Sequence, residues 1–188
     1  MSSPIPKTMK KLALFAIAAF ILSTGLMGQK KNALKTDLFS AFLRTGVLKY
    51  ERVLNNDMSF QLGAFYTGYS PGDTDARLSG FGITPEFRYY LSEQNPAPHG
   101  TYLAPNFRYM KLDAEDEASG DKATLTTYGF AINLGHQVVF KDIIVVDGWI
   151  GPVYAFRNVT DVVGDVDIGV TTANGFGIRL GIAIGIVF

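Results

Sequence analysis

Few residues in this chain could carry out a reaction. Its 188 residues hold two histidines, His99 and His136, and no cysteine, so general-base chemistry near neutral pH has two candidates and thiol chemistry none. Serine hydrolysis needs a nucleophile, a base and an orienting acid brought together. His99 falls in a proline-flanked turn and His136 on the apolar face of a strand. Neither is placed to meet a serine, so no catalytic residue is expected and the chain does not read as an enzyme. Asp73-x-Asp75, the run Asp113/Glu115/Asp116/Glu117 and Asp165-x-Asp167 lack the glycine and closing glutamate of a calcium loop. They read as solvated loop charge, and no metal or cofactor is expected. What remains is a polar set spread singly along the chain: Lys49, Glu51, Glu86, Arg88, Arg108, Asp147 and Arg179, with Gln61, Asn106, Asn133 and Gln137. Charges of both signs in similar number can pair in a closed interior, where a lone one would be very costly.

The elements that position this set are strands. From Asn174 to Phe188, alternate residues Phe176, Ile178, Leu180, Ile182, Ile184, Ile186 and Phe188 are large and apolar, while those between are glycine, alanine, valine and Arg179. A period of two is a strand with one broad apolar face and one cramped face. The same alternation predicts β1 over Ala33–Phe42, β2 over Arg44–Leu54, β3 over Met58–Tyr69 and β4 over Ser79–Leu91. It continues with β5 over Thr101–Leu112, β6 over Leu125–Phe140, β7 over Ile143–Arg157 and β8 over Gly175–Phe188. The polar set then shares one face. Phe60, Leu62, Tyr66, Ile83, Phe87, Phe130, Ile132, Leu134, Ile150 and Phe156 share the other, and such a set facing water would form a very large apolar patch. Hydrocarbon outside and a packed lumen inside is the arrangement of a membrane-spanning barrel. Tyr89, Tyr109, Tyr128, Trp149 and Tyr154 are expected near the rims, where amphipathic rings suit a membrane–water boundary.

The expected fold is therefore all-β, an eight-stranded antiparallel up-and-down transmembrane barrel. An even strand count leaves both ends of the mature chain on one side. Short connections at Asn55–Asp57, Ser92–Gly100 and Lys141–Asp142 alternate with long acidic ones at Ser70–Leu78, Asp113–Thr124 and Asn158–Asn174, the asymmetry of outer-membrane barrels. Only β1/β2 breaks it, with an outer connection of a residue or two. Pro85, Pro105 and Pro152 fall inside strands, where each removes a ladder donor, so local bulges are expected there, or membrane crossings displaced from these boundaries. A hairpin-length repeat supports the register. Gly80-Phe81-Gly82-Ile83 recurs as Gly129-Phe130-Ala131-Ile132 and as Gly175-Phe176-Gly177-Ile178, so strands running the same way share a motif.

Ahead of the strands, Met9-Lys10-Lys11 precedes the apolar run Leu12–Leu22 and the small-residue stretch ending at Gly28. That run is shorter than the ~20 residues a spanning helix needs, and the layout is that of a secretory signal peptide. Residues 1–28 are thus expected to be a cleaved leader and residues 29–188 the barrel. Loss of Lys7, Lys10 and Lys11 takes 17 basic side chains to 14 against 17 acidic ones, which gives no footprint for nucleic acid.

Lys49-Tyr50-Glu51-Arg52, the Pro-x-Phe-Arg-Tyr of Pro85–Tyr89 and of Pro105–Tyr109, and the Phe-terminated last strand resemble a family of small bacterial outer-membrane barrels known only as a domain of unknown function. Its fold is similar to that of OmpX and the OmpA membrane domain. The resemblance spans roughly Asn32 to Phe188 and implies location in a bacterial outer membrane. It supplies no catalytic residues. The last strand also resembles an assembly signal read by the barrel-assembly machinery, with Ile184, Ile186 and Phe188 as its residues. Partners expected on this basis are membrane lipid, including lipopolysaccharide bridged to the loops by divalent cations, and that machinery; the barrel is expected to be a monomer. A non-enzymatic barrel with a side-chain-filled lumen leads. Behind it stand an OmpW-type pocket for a small hydrophobic compound, marked by a dry cavity near Phe65, Thr127 and Gly177, then a lipid-modifying enzyme. Last is the inverse, a soluble lipocalin-type barrel with the large residues inside.

Overall fold

The computed structural model describes residues 31–42, 44–69, 76–92, 96–116, 122–163 and 174–188. The expected leader and the acidic stretches at Asp73 and Asp165 lie outside them. The eight strands are β1 (Asn32–Asp37), β2 (Thr45–Val53), β3 (Met58–Tyr69), β4 (Ala76–Tyr90), β5 (Gly100–Asp116), β6 (Lys122–Phe140), β7 (Ile144–Val163) and β8 (Gly175–Val187). Each pairs antiparallel with the next, and β8 closes on β1, for example through Ala33↔Val187 and Asp37↔Ala183.

Period-two patterning directs the faces as expected. Glu51, Gln61, Glu86, Arg88, Asn106, Asn133, Gln137 and Asp147 are buried inside, whereas Phe130, Ile132, Ile150, Phe176 and Ile178 are exposed outside. The lipocalin-type inverse is not the arrangement adopted. Burial inside is mostly of charged, amide and small residues, with Ala104, Ala131, Ala155 and Ala183 among the apolar ones.

Four local expectations are corrected. Ala33–Phe42 is not one strand: β1 stops at Asp37 and a short helix, α1 (Leu38–Phe42), follows. Asp37 Oδ1 accepts the Ser40 N–H at 3.1 Å, the bond of a helix N-cap, which offers the backbone a better local partner than continued ladder. The β1–β8 ladder therefore ends at Asp37↔Ala183 and the β1–β2 ladder at Lys35↔Lys49. Beyond them, Gly175–Ile182 and Thr45–Leu48 flank a seam that α1 lies across, touching both β2 and β8.

The prolines make no bulges. Ile83↔Tyr109 and Glu86↔Asn106 keep one register across Pro85, and Ala131↔Val153 and Leu134↔Ile150 keep one across Pro152. Each proline turns its missing donor to a single neighbour: Pro85 pairs with Leu62, Pro105 with Ile132 and Pro152 with Ile178, while the ladder on the other side skips it. Two rungs lost on one side leave the strand held by the other. The register does shift between Lys122 and Thr124, at the far end of β6.

The third correction is to the hairpins. β4, β5, β6 and β7 all run further than the alternation predicts, so most of Asp113–Thr124 is ladder and not loop. There the acids are matched across strands: Asp113 Oδ1 accepts the Thr124 hydroxyl at 2.8 Å, and Glu115 meets Lys122 at 2.6 Å.

The fourth concerns Trp149. It shares parity with Asp147 and lies inside the lumen, its ring 3.4 Å from Lys49 Nζ, where a rim position is expected. Tyr89, Tyr109, Tyr128 and Tyr154 do lie on the outer face, and the last three belong to two groups of touching rings, one of Phe81, Phe107, Tyr109, Tyr128 and Phe130 on β4–β6 and one of Tyr154, Phe156 and Phe176 on β7 and β8.

Candidate functional site

The lumen divides into two halves. The half nearer the short turns is solid. Lys35 Nζ, on β1, donates to Glu51 Oε2 at 2.7 Å, to Asp147 Oδ2 at 3.0 Å and to Gln137 Oε1 at 2.6 Å, which uses all three of its protons. Arg88, on β4, reaches Glu86 Oε1 at 2.6 Å through Nε, Gln137 Oε1 at 2.9 Å through Nη1 and Asp147 Oδ2 at 2.9 Å through Nη2. Its guanidinium stacks 4.2 Å from the Tyr102 ring. The other oxygens of Glu51 and Asp147 are met by hydroxyls: Ser59 and Tyr90 donate to Glu51 Oε1, and Tyr102 donates to Asp147 Oδ1, while Asn133 Nδ2 donates to Glu86 Oε2. Seven strands contribute to this cluster. The turn between β4 and β5 closes its base, because Gln137 Nε2 donates to the Pro98 carbonyl at 2.8 Å and the Ala97 N–H donates to the Asn56 carbonyl at 2.7 Å.

β8 contributes no polar partner at that level. Its inward positions are Gly181, Ala183 and Gly185, and a Cβ at Gly181 would run into the Trp149 ring, one at Gly185 into the Leu34 carbonyl. The small face read from the sequence is therefore the space that lets Trp149 and the β1 backbone approach. Replacing Gly181 by valine is expected to push the indole aside, at a cost of about 1–3 kcal/mol from overpacking. Trp149 is the chain's one tryptophan, so its fluorescence reports the move directly: a red-shifted native emission is expected, and an unchanged spectrum with unchanged stability would contradict this packing.

The other half holds a cavity of about 540 Å³. Lys49, Arg108, Arg179 and Trp149 reach its wall, as do Phe65, Met110 and Leu112. The expectation of a lumen filled by side chains therefore holds for the turn half only. An expected marker, Phe65, lines the cavity; Thr127 and Gly177 lie outside the lining, although Thr127 Oγ1 is buried without a partner.

The structure thus splits the predicted polar set. Glu51, Glu86, Arg88 and Asp147 are joined in the solid cluster, Glu86 and Arg88 also reaching the cavity lining, while Lys49, Arg108 and Arg179 belong to the cavity. Lys35, Tyr90 and Tyr102 are central to the cluster and absent from the expected set. Parity was their signal: Lys35 alternates with Ala33 and Asp37, Tyr90 follows Arg88 by two, and Tyr102 precedes Ala104 by two. Neither histidine faces this interior chemistry. His99 Nδ1 accepts the Val139 N–H at 3.3 Å in the turn region, and His136 meets Thr101 on the outer surface at 2.9 Å. Ile184 and Ile186 point outward on β8, and Phe188 exchanges backbone hydrogen bonds with Asn32.

One family profile matches residues 13–163, and that family is described as a protein of unknown function, DUF3575. No curated protein and no solved structure matches the chain.

Proposed function

Given that the chain belongs to the DUF3575 family of unknown function, we propose that it is an integral outer-membrane β-barrel of a Gram-negative bacterium, exported by its leader, without enzymatic activity and closed to ion flow. The observation that carries this reading is the reversal of the usual burial pattern: charges paired inside, isoleucine and phenylalanine exposed around the outside. In water such a surface is a large aggregation liability, whereas in hydrocarbon it is the favourable one. The two groups of touching aromatic rings, on β4–β6 and on β7–β8, suit the boundary between hydrocarbon and head groups. Absence of conduction follows from the solid half of the lumen, since Lys35, Arg88 and their carboxylates fill the cross-section and the β4/β5 turn lies beneath them.

On this reading the barrel folds as OmpX and the OmpA membrane domain do, touches membrane lipid and lipopolysaccharide, and is inserted as a monomer by the assembly machinery acting on Ile184, Ile186 and Phe188. The test is fractionation followed by electrophoresis with and without boiling. Extraction by detergent alone, with a heat-dependent mobility shift and no steady single-channel current in planar bilayers, is the expected result; release by plain buffer would refute it. A second reading, a pocket for a small hydrophobic compound entering from the side as in OmpW-type barrels, is favoured by the cavity beside the seam.

A further inference from the structure

In the solid cluster Lys35 and Arg88 face Glu51, Glu86 and Asp147, one carboxylate in excess, whereas around the cavity cations are in excess. Lys49, Arg88, Arg108 and Arg179 line it with Asp37 and Glu86, and Asp147 is a further carboxylate within electrostatic reach of Lys49. All three carboxylates are engaged elsewhere. Asp37 caps α1 and holds Lys49 at 3.4 Å, Glu86 accepts from Arg88, Gln61 and Asn133, and Asp147 accepts from Lys35, Arg88 and Tyr102. That leaves two guanidiniums, close enough to repel each other, with no ion pair of their own among the described residues. Arg108 rests on the Phe65 ring at 4.5 Å and on Met110 Sδ at 3.9 Å, and its Nε is buried with no acceptor. A buried donor that strong, left unmade, is expensive.

The cavity is also open sideways. Ile178 and Leu180 point outward on β8, yet both line it, together with Phe39 of α1 and Val47 of β2. The space therefore emerges through the seam where β1 has turned into α1. The wall carries Phe39, Val47, Phe65, Leu78 and Leu112 among its polar residues, and about 540 Å³ is an ordinary volume for a small-molecule site.

We propose that this cavity binds a single-chain amphiphile by its anionic head, a carboxylate or phosphate ester held between Arg108 and Arg179, with the aliphatic tail leaving through the seam between α1 and β8. The assignment rests on the membrane reading, because the seam must open onto hydrocarbon for the tail to be favoured there. A planar guanidinium presents paired donors to either oxyanion, and the displaced repulsion between the two arginines adds to the preference for a negative head. A neutral head could accept from Arg108 Nε but would leave the charge of the two guanidiniums unopposed.

Trp149 lines the same cavity and supplies the readout. The full-length barrel in neutral maltoside micelles is titrated with dodecanoate, dodecyl phosphate, dodecan-1-ol, acetate and inorganic phosphate while the tryptophan emission is followed. Saturable changes with dodecanoate or dodecyl phosphate are expected, with dodecanol, acetate and phosphate weaker by about ten-fold or more. Arg108→Gln and Arg179→Gln should each weaken dodecanoate by about ten-fold while keeping the heat-dependent mobility shift. Dodecanol binding as well as dodecanoate would overturn the role of the charge, and acetate or phosphate binding as well would overturn that of the tail. Absence of saturation in a barrel that keeps its mobility shift overturns this assignment alone; loss of the shift in the unsubstituted protein counts against the membrane reading. The comparison among ligands needs no variant, so a misfolding substitution does not remove the test.

Discussion

Replacing Lys35 by methionine is expected to destabilise the barrel by about 3–5 kcal/mol, the scale on which a buried ion pair fails when one partner is removed. Lys35 is fully buried and donates to two carboxylates and an amide at once. Its loss leaves Glu51 with Arg88 at 3.6 Å as its remaining cation, and leaves Asp147 with Arg88 as its remaining ion-pair partner beside the Tyr102 hydroxyl. Against a total folding stability of about 5–15 kcal/mol that is a large share. The penalty comes from the abandoned charge and not from any intrinsic strength of the pair. Removing one charge of each sign, with Lys35→Met and Glu51→Gln together, should therefore recover much of the loss. The pair Lys122–Glu115 is just as short at 2.6 Å, but its side chains are 59% and 46% exposed. Glu115→Gln should cost about 1 kcal/mol or less, because solvent already screens that pair. All are measured as the temperature or urea concentration at which the heat-dependent mobility shift disappears. A Lys35→Met barrel as stable as the unsubstituted one would show that the cluster is not held by charge pairing.

Much of the fold was legible because its dominant signal has period two and survives local disturbance. One-residue alternation fixes which face each side chain takes, and so Glu51, Glu86, Arg88 and Asp147 could be placed together without knowing their partners. Residue-type preference and parity conflict at Trp149: tryptophan suits an interface, but its alternation with Asp147 points it inward, and the glycine at 181 makes room for it there. Lys35 was hidden because Ala33–Phe42 alternates weakly and its outward partners Leu34 and Thr36 are not a strong apolar face. The cavity could not have been found from strand patterns at all. It depends on Asp37 ending β1 early, a capping choice local to one residue, and on the consequent gap between β2 and β8. The prolines were misjudged in the opposite direction. A missing N–H faces one neighbour, so a strand paired on both sides absorbs it without changing register.

The exterior offers the sharper test of where the barrel resides, because the same substitution has opposite consequences in water and in hydrocarbon. On β6 the outward positions Thr124, Tyr128, Ile132 and His136 form a series along one strand. Ile132 is 57% exposed and sits between Phe130 and Leu134, both exposed too. Ile132→Arg in a water-facing barrel would be an ordinary surface change, within about 0.5 kcal/mol of neutral. In a bilayer it places a cation near the hydrocarbon midplane, and about 2–4 kcal/mol is expected, falling to about 0–1 for Thr124→Arg towards the hairpin end. Guanidinium at Ile132 has no lumen to turn to, since its neighbours across the ladder are Pro105 and the Pro152 region of β7. The series is read by urea titration of each variant refolded into phosphatidylcholine vesicles. A cost that peaks at Ile132 and vanishes towards Thr124 is the profile of a hydrocarbon slab centred on that row, whereas equal and small effects at both positions would mean that the apolar face meets water.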